Sequence, residues 1–167
     1  ILIGASGGSE SAGIDIFGSQ YTATTTNEYV YYKGQVYVDR AHTLTTGSDT
    51  FGSSYTTTSF IDYEYGPIAK GANDALRDAE FVLLGVKDNL TVTDGKDIFG
   101  STYLTTTKNI YIMIKGQVLV NTANSSTTGA NLFGESYTTY STTKYNYCDD
   151  LSGPRKVYGE LSGASTA

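Results

Sequence analysis

Hydrophobic and polar positions along this chain read as strands, some apolar on both faces and some alternating with period two. Residues Tyr29 to Tyr32 and Gln35 to Val38 flank the dipeptide Lys33-Gly34, the pattern of a hairpin with a two-residue turn. Pairing across that turn places Val30, Tyr32 and Tyr37 on one face, and Tyr29, Tyr31, Val36 and Val38 on the other. A later segment of the same form sets Ile112, Ile114 and Leu119 against Tyr111, Met113, Val118 and Val120. Both faces are apolar, so this hairpin is expected at the centre of a sheet or at an interface. Between Tyr55 and Tyr65, the residues Tyr55, Thr57, Ile61, Tyr63 and Tyr65 share one side of a half-buried strand.

Beyond Tyr65 the strand pattern changes. Gly66-Pro67 interrupts it, and then Ala72, Ala75, Leu76 and Ala79 recur at i, i+3, i+4 and i+7, with Asn73 or Asp74 available as a cap. That spacing predicts one short linking helix over 71–81. Phe81 to Leu84 and Ile1, Leu2 and Ile3 are predicted to open the two halves as strands. The stretches 6–11 and 152–167 are Gly/Ser-rich and expected to be flexible in isolation.

Internal repetition is the strongest signal. Asp15, Ile16, Phe17, Gly18, Ser19 and Tyr21 recur as Asp97, Ile98, Phe99, Gly100, Ser101 and Tyr103, an offset of 82 residues (97 − 15). The same offset relates the Lys33 and Lys115 segments (115 − 33). A shorter unit, G-x-[DN]-x-F-G-[SE]-x-Y, appears four times. Its copies are Gly13, Asp15, Phe17, Gly18 and Tyr21; Gly47, Asp49, Phe51, Gly52 and Tyr55; Gly95, Asp97, Phe99, Gly100 and Tyr103; and Gly129, Asn131, Phe133, Gly134 and Tyr137. The predicted fold is therefore all-β, with tandemly duplicated antiparallel β-sandwich or barrel-like halves and one short linking helix. The expected boundaries are a first half at 1–70, the linker at 71–81, a second half at 82–150 and a C-terminal tail at 151–167.

Physically, the unit reads as a turn that launches a strand. The leading glycine is expected to supply a positive φ, and Asp or Asn to close an Asx-turn two residues on. Phe is expected to be a buried anchor, the second glycine a bend or bulge, and Tyr the start of an alternating strand. The G-x-D-x-F core overlaps half of a calcium-binding glycine-aspartate nonapeptide, but such sites stack successive nonapeptides. Here each copy stands 34 residues or more from the next (47 − 13), and the fourth carries Asn131. The turn reading is preferred, and no metal or other cofactor is expected.

Composition agrees with strands: 15 Tyr, 6 Phe, no Trp, 19 Gly and only 2 Pro. Tyr, Thr, Val and Ile suit a pleated, half-buried surface. The net charge of −6, with 11 scattered Lys and Arg, argues against nucleic acid, whose backbone needs a clustered cationic face. No stretch approaches the roughly 20 apolar residues of a membrane-spanning helix, so no membrane insertion is expected. Ile1 in place of Met suggests a processed or trimmed start.

No catalytic set assembles in the sequence. His42 is the sole histidine and Cys148 the sole cysteine, too few for a zinc cluster or an internal disulfide. Residues Gly4 to Gly8 match the G-x-S-x-G nucleophile elbow in form, yet no helix pattern follows Ser6. The sequons at Asn89 and Asn124 matter only in a host that glycosylates. What repeats is turn glycine, Asx, Phe and Tyr, the residues of a scaffold. The expectation is a non-enzymatic structural subunit of an extracellular or virion-surface assembly. Its partners would be copies of itself or of another structural protein, with Ile1, Leu2 and Ile3 as a donated strand. The alternative is a bivalent carbohydrate-binding or adhesin module that meets surface glycans through exposed tyrosines.

Overall fold

A computed structural model describes residues 5–68, 80–114, 116–147 and 161–166. The described residues are all-β and form one open antiparallel sheet. Its strands are β1 (Gly7–Ile14), β2 (Gln20–Tyr32), β3 (Gln35–Ser48), β4 (Ser54–Ile68), β5 (Glu80–Lys96), β6 (Thr102–Ile114), β7 (Gln117–Ala130), β8 (Ser136–Tyr147) and β9 (Leu161–Thr166). They lie in chain order, each paired with its sequence neighbour.

The expected pair of sandwich or barrel-like halves is corrected by this topology. β4 and β5, on either side of the anticipated boundary, pair from Ser54 opposite Lys96 to Ile68 opposite Glu80. The sheet therefore runs through the boundary. Among the described residues neither face carries a second layer, and threonine suits both faces to water. Thr25 and Thr43, Thr57 and Thr93, Thr105 and Thr127, and Thr107 and Ser125 join hydroxyl to hydroxyl at 2.8–3.0 Å on one face. Thr22 and Thr46 do the same at 2.8 Å on the other. Both faces thus carry short, hydrogen-bonding side chains that water solvates well.

The Lys33-Gly34 turn is as expected: the two residues between β2 and β3 have φ of 46° and 87°, the pair of positive values that a type I′ turn needs. Val30 sits opposite Tyr37 and Tyr29 opposite Val38; Ile112 sits opposite Leu119 and Met113 opposite Val118. A bulge at Asp39, between the pairs Glu28/Arg40 and Tyr29/Val38, bends the hairpin end. Beyond it the β3–β4 ladder stops, at Arg40 opposite Asp62. The β2–β3 and β4–β5 ends then meet through their rings. Phe81 stacks on Tyr32 with centroids 4.3 Å apart, and Tyr37 lies 5.2 Å from Tyr65. This half-buried aromatic cluster is the nearest thing to a core among the described residues.

Three further expectations change. Residues 6–11 are not a loose terminus, because β1 begins at Gly7 and pairs with β2 from Gly7 opposite Asn27 onward. Leu161–Thr166, inside the anticipated tail, pairs with β8. Glu80 and Phe81 belong to β5 and not to a helix; the rest of 71–81, and Ile1, Leu2 and Ile3, lie outside the described residues.

Candidate assembly surface

All four copies of the nine-residue unit become hairpin loops at the same end of the sheet, joining β1 to β2, β3 to β4, β5 to β6 and β7 to β8. In each, the amide of the second glycine donates to the carbonyl of the Asx residue: Gly18 to Asp15 at 3.0 Å, Gly100 to Asp97 at 3.0 Å and Gly134 to Asn131 at 3.1 Å, with Gly52 to Asp49 longer at 3.4 Å. That glycine holds φ between 83° and 100°, the left-handed position of a three-residue hairpin loop. The Asx side chain closes the loop as expected. Asp15 Oδ1 accepts from the amides of Phe17 and Ser19 at 2.8 and 3.0 Å, and Asn131 Oδ1 from those of Phe133 and Glu135 at 3.0 Å each.

Two roles assigned from sequence are overturned. The leading glycines Gly13, Gly47, Gly95 and Gly129 are not the positive-φ residues of the loop; they lie within strands, each opposite the tyrosine that ends its own unit. A Cβ on any of them would overlap that tyrosine's ring. Glycine is required there because an aromatic ring lies flat across the backbone, the cross-strand arrangement known as aromatic rescue. The phenylalanines are not buried anchors either. Phe17, Phe51, Phe99 and Phe133 are 71–90% exposed, beside Ile16 at 93% and Leu132 at 69%. A three-residue loop has no backbone to spare for turning its tip inward, so the two residues before the glycine point away from the sheet.

These contacts extend into one row across the sheet. Gly13, Tyr21, Gly47, Tyr55, Gly95, Tyr103, Gly129 and Tyr137 are successive cross-strand partners. Glycine and tyrosine therefore alternate strand by strand, with a ring about every 10 Å at the usual strand spacing. Periodicity along the chain could not reveal this row. The offset of eight between G and Y in the unit is its only sequence trace. An open groove of about 510 Å³ runs beneath the loops, lined by Tyr21, Tyr55 and Tyr103 together with Asp15, Asp49 and Asp97.

The amide of Ser19 holds the Asp15 carboxyl below its usual range, as that of Ser53 does for Asp49. At Asp97 burial pushes upward, but the Ser101 amide and hydroxyl outweigh it and the net direction is again down. A carboxyl whose pKa is depressed by folding stabilises the fold above its unfolded pKa, near 3.8, and loses that contribution as pH falls through the folded value. On acidification, the amides of Phe17, Phe51 and Phe99 are therefore expected to lose their carboxylate partners together. The amide of Phe133, bonded to the non-titrating Asn131, stays unchanged. Amide chemical shifts followed by NMR between pH 6 and 2 check this; a matching shift at Phe133 would refute it.

Other anticipated chemistry lies apart from this surface. His42 is an exposed strand residue opposite Thr26 and Phe60, and Cys148 and Gly4 lie outside the described residues. Asp62 forms a two-point ion pair with Arg40, at 2.5 and 2.7 Å, and this pairing lowers its pKa. No group of three or more His, Cys, Asp or Glu among the described residues is placed to hold a metal ion. Asn89, noted in sequence as a sequon, is a buried bridge. Its Nδ2 donates to the Asn109 carbonyl at 2.7 Å, and its Oδ1 accepts from the Asn109 amide at 2.8 Å. This extends β5–β6 contact past the last ladder pair, Thr91 opposite Thr107. Comparison with protein-family models, with curated proteins and with solved structures finds no match to this chain.

Proposed function

We propose that this protein is a non-enzymatic structural subunit of an extracellular or viral assembly, associating with copies of itself or of another structural protein through its strands and apolar loop tips. The observation that carries this reading is the burial pattern. Among the described residues only Gly66, Asn89 and Gly95 are buried, so no apolar side chain is fully withdrawn from water. Chains of this size ordinarily bury a continuous apolar core. Exposed Ile16, Phe17, Phe51, Phe99, Leu132 and Phe133 along one end of the sheet add large apolar side chains in water of the kind found at interaction sites.

Sedimentation velocity across a hundredfold range of concentration tests the proposal. Mass-dependent association is the expected result, and a strict monomer throughout would overturn it. The groove favours a second reading, a glycan-binding module in which Tyr21, Tyr55 and Tyr103 stack on sugar rings. Reproducible binding on a glycan array by a protein that stays monomeric would select that reading.

A further inference from the structure

The two edges of the sheet are complementary to one another. The glycine–tyrosine row begins with Gly13 on β1, under the ring of Tyr21, and ends with Tyr137 on β8, whose ring lies over Gly129 and is 54% exposed. β1 pairs only with β2 among the described residues, and none of these pairs with its outer edge. β8 meets β9 only from Thr143 to Tyr147. Over Ser136 to Thr142 its outer edge has no ladder partner among the described residues.

We propose that β1 of a second copy pairs antiparallel with β8 over this open stretch, joining subunits head to tail. The inference rests on the assembly reading and names its contact. The β4–β5 junction supplies the register, since there Tyr55 sits opposite Gly95, Thr57 opposite Thr93 and Ser59 opposite Thr91. The 82-residue offset carries β4 onto β8 and the second part of β5 onto β1. Gly13 of the incoming copy then lies opposite Tyr137, Ser11 opposite Thr139 and Ser9 opposite Ser141.

Each pair keeps the chemistry of its internal counterpart. Gly13 stands beside Tyr137 as Gly95 stands beside Tyr55. Ser11 and Thr139 reproduce the hydroxyl pair that Thr57 and Thr93 form at 2.9 Å. The incoming strand must leave the sheet at Gly7, because Thr166 of β9 already occupies the place opposite Thr143. Ala5 and Ser6 are exposed and outside any strand, so they offer no obstacle. The joined edges differ, so the contact is heterologous and repeats from copy to copy, while the added ladder supplies main-chain hydrogen bonds.

Cysteine pairing tests the contact in a Cys148→Ser background. Directly opposed strand residues bring their Cβ atoms close enough for a disulfide at favourable positions. Ser11→Cys and Thr139→Cys proteins, mixed one to one under mild oxidation, are expected to give a covalent heterodimer that neither gives alone. The double variant is expected to give a ladder of oligomers on a non-reducing gel. Thr57→Cys with Thr93→Cys in one chain should close internally and verifies that this register permits the bond. Thr138→Cys, on the opposite face, should not pair with Ser11→Cys.

If the internal control closes while the mixture stays reduced, the edge contact is overturned. Disulfide-linked dimers from Ser11→Cys alone would overturn it too, because they require β1 against β1. If wild-type protein still associates in sedimentation in either case, the assembly reading survives without this contact. If it is a strict monomer, both fall.

Discussion

Gly95→Ala is expected to destabilise the sheet by about 1–3 kcal/mol, the usual cost of forcing atoms into a filled site, and the same substitution in a Tyr103→Ala background is expected to cost nothing. An added Cβ at position 95 overlaps the Tyr103 ring, so the ring must leave its seat or the strands must part. With the ring gone, alanine simply replaces a glycine in a strand, a change that favours folding by about 0.5–1 kcal/mol through lost unfolded-state freedom. The sign of the effect thus reverses between backgrounds. Chemical denaturation of the four proteins of this cycle measures the coupling. If Gly95→Ala costs the same with and without Tyr103, the ring does not explain the glycine. Gly52 provides contrast, because its φ of 100° penalises alanine whatever surrounds it, and a Cβ there meets nothing within 4 Å.

Asn89→Ala is the second large effect, with an expected loss of roughly 1–3 kcal/mol for the two polar groups it leaves unpartnered. The Asn89 amide both donates to and accepts from the backbone of Asn109, through the two ends of one carboxamide. Asn89→Asp is expected to cost nearly as much at neutral pH, since a carboxylate cannot donate to the Asn109 carbonyl and lies beside Asp88. It should recover part of the loss when protonated. The adjacent ion pair of Lys108 and Asp88, at 3.0 Å, spans the same gap but is exposed, so Lys108→Ala should cost far less than Asn89→Ala. Thermal unfolding at two pH values separates these cases. An Asn89→Ala protein as stable as the wild type would show that the bridge contributes no stability.

The all-β character, the Lys33-Gly34 turn and the registers of both apolar hairpins follow from period-two patterning, because alternation and turn chemistry act within a few residues. What patterning could not supply is the number of layers. Tyr29 to Tyr32 is apolar on both faces, which suits a sandwich core as well as it suits rings clustering between two splayed hairpin ends. Which of these occurs depends on the Asp39 bulge and on Phe81, more than 40 residues away along the chain. The nine-residue unit was visible as a unit, and its Asx closure followed from local hydrogen bonding. Its two glycines traded roles because positive φ and a missing Cβ look identical in sequence. Only the ring of Tyr21, Tyr55, Tyr103 or Tyr137 lying across the partner strand tells them apart. Phe was misplaced for a related reason. Hydrophobicity argues for burial, but a loop with one glycine and two tip residues cannot turn them inward.

The strict neighbour-to-neighbour order of the strands also bears on how the protein comes apart. Among the described residues each strand pairs only with its sequence neighbours, and the rings of Tyr32, Tyr37, Tyr65 and Phe81 join the β2–β3 and β4–β5 ends. Such a chain resembles a one-dimensional array, in which stability is a sum of local and nearest-neighbour contributions. In such an array folding can begin at any hairpin and spread to its neighbours. Loss of structure then begins at β1 and β9 and travels inward. The strands at the rim are the last to be secured and the first to be released.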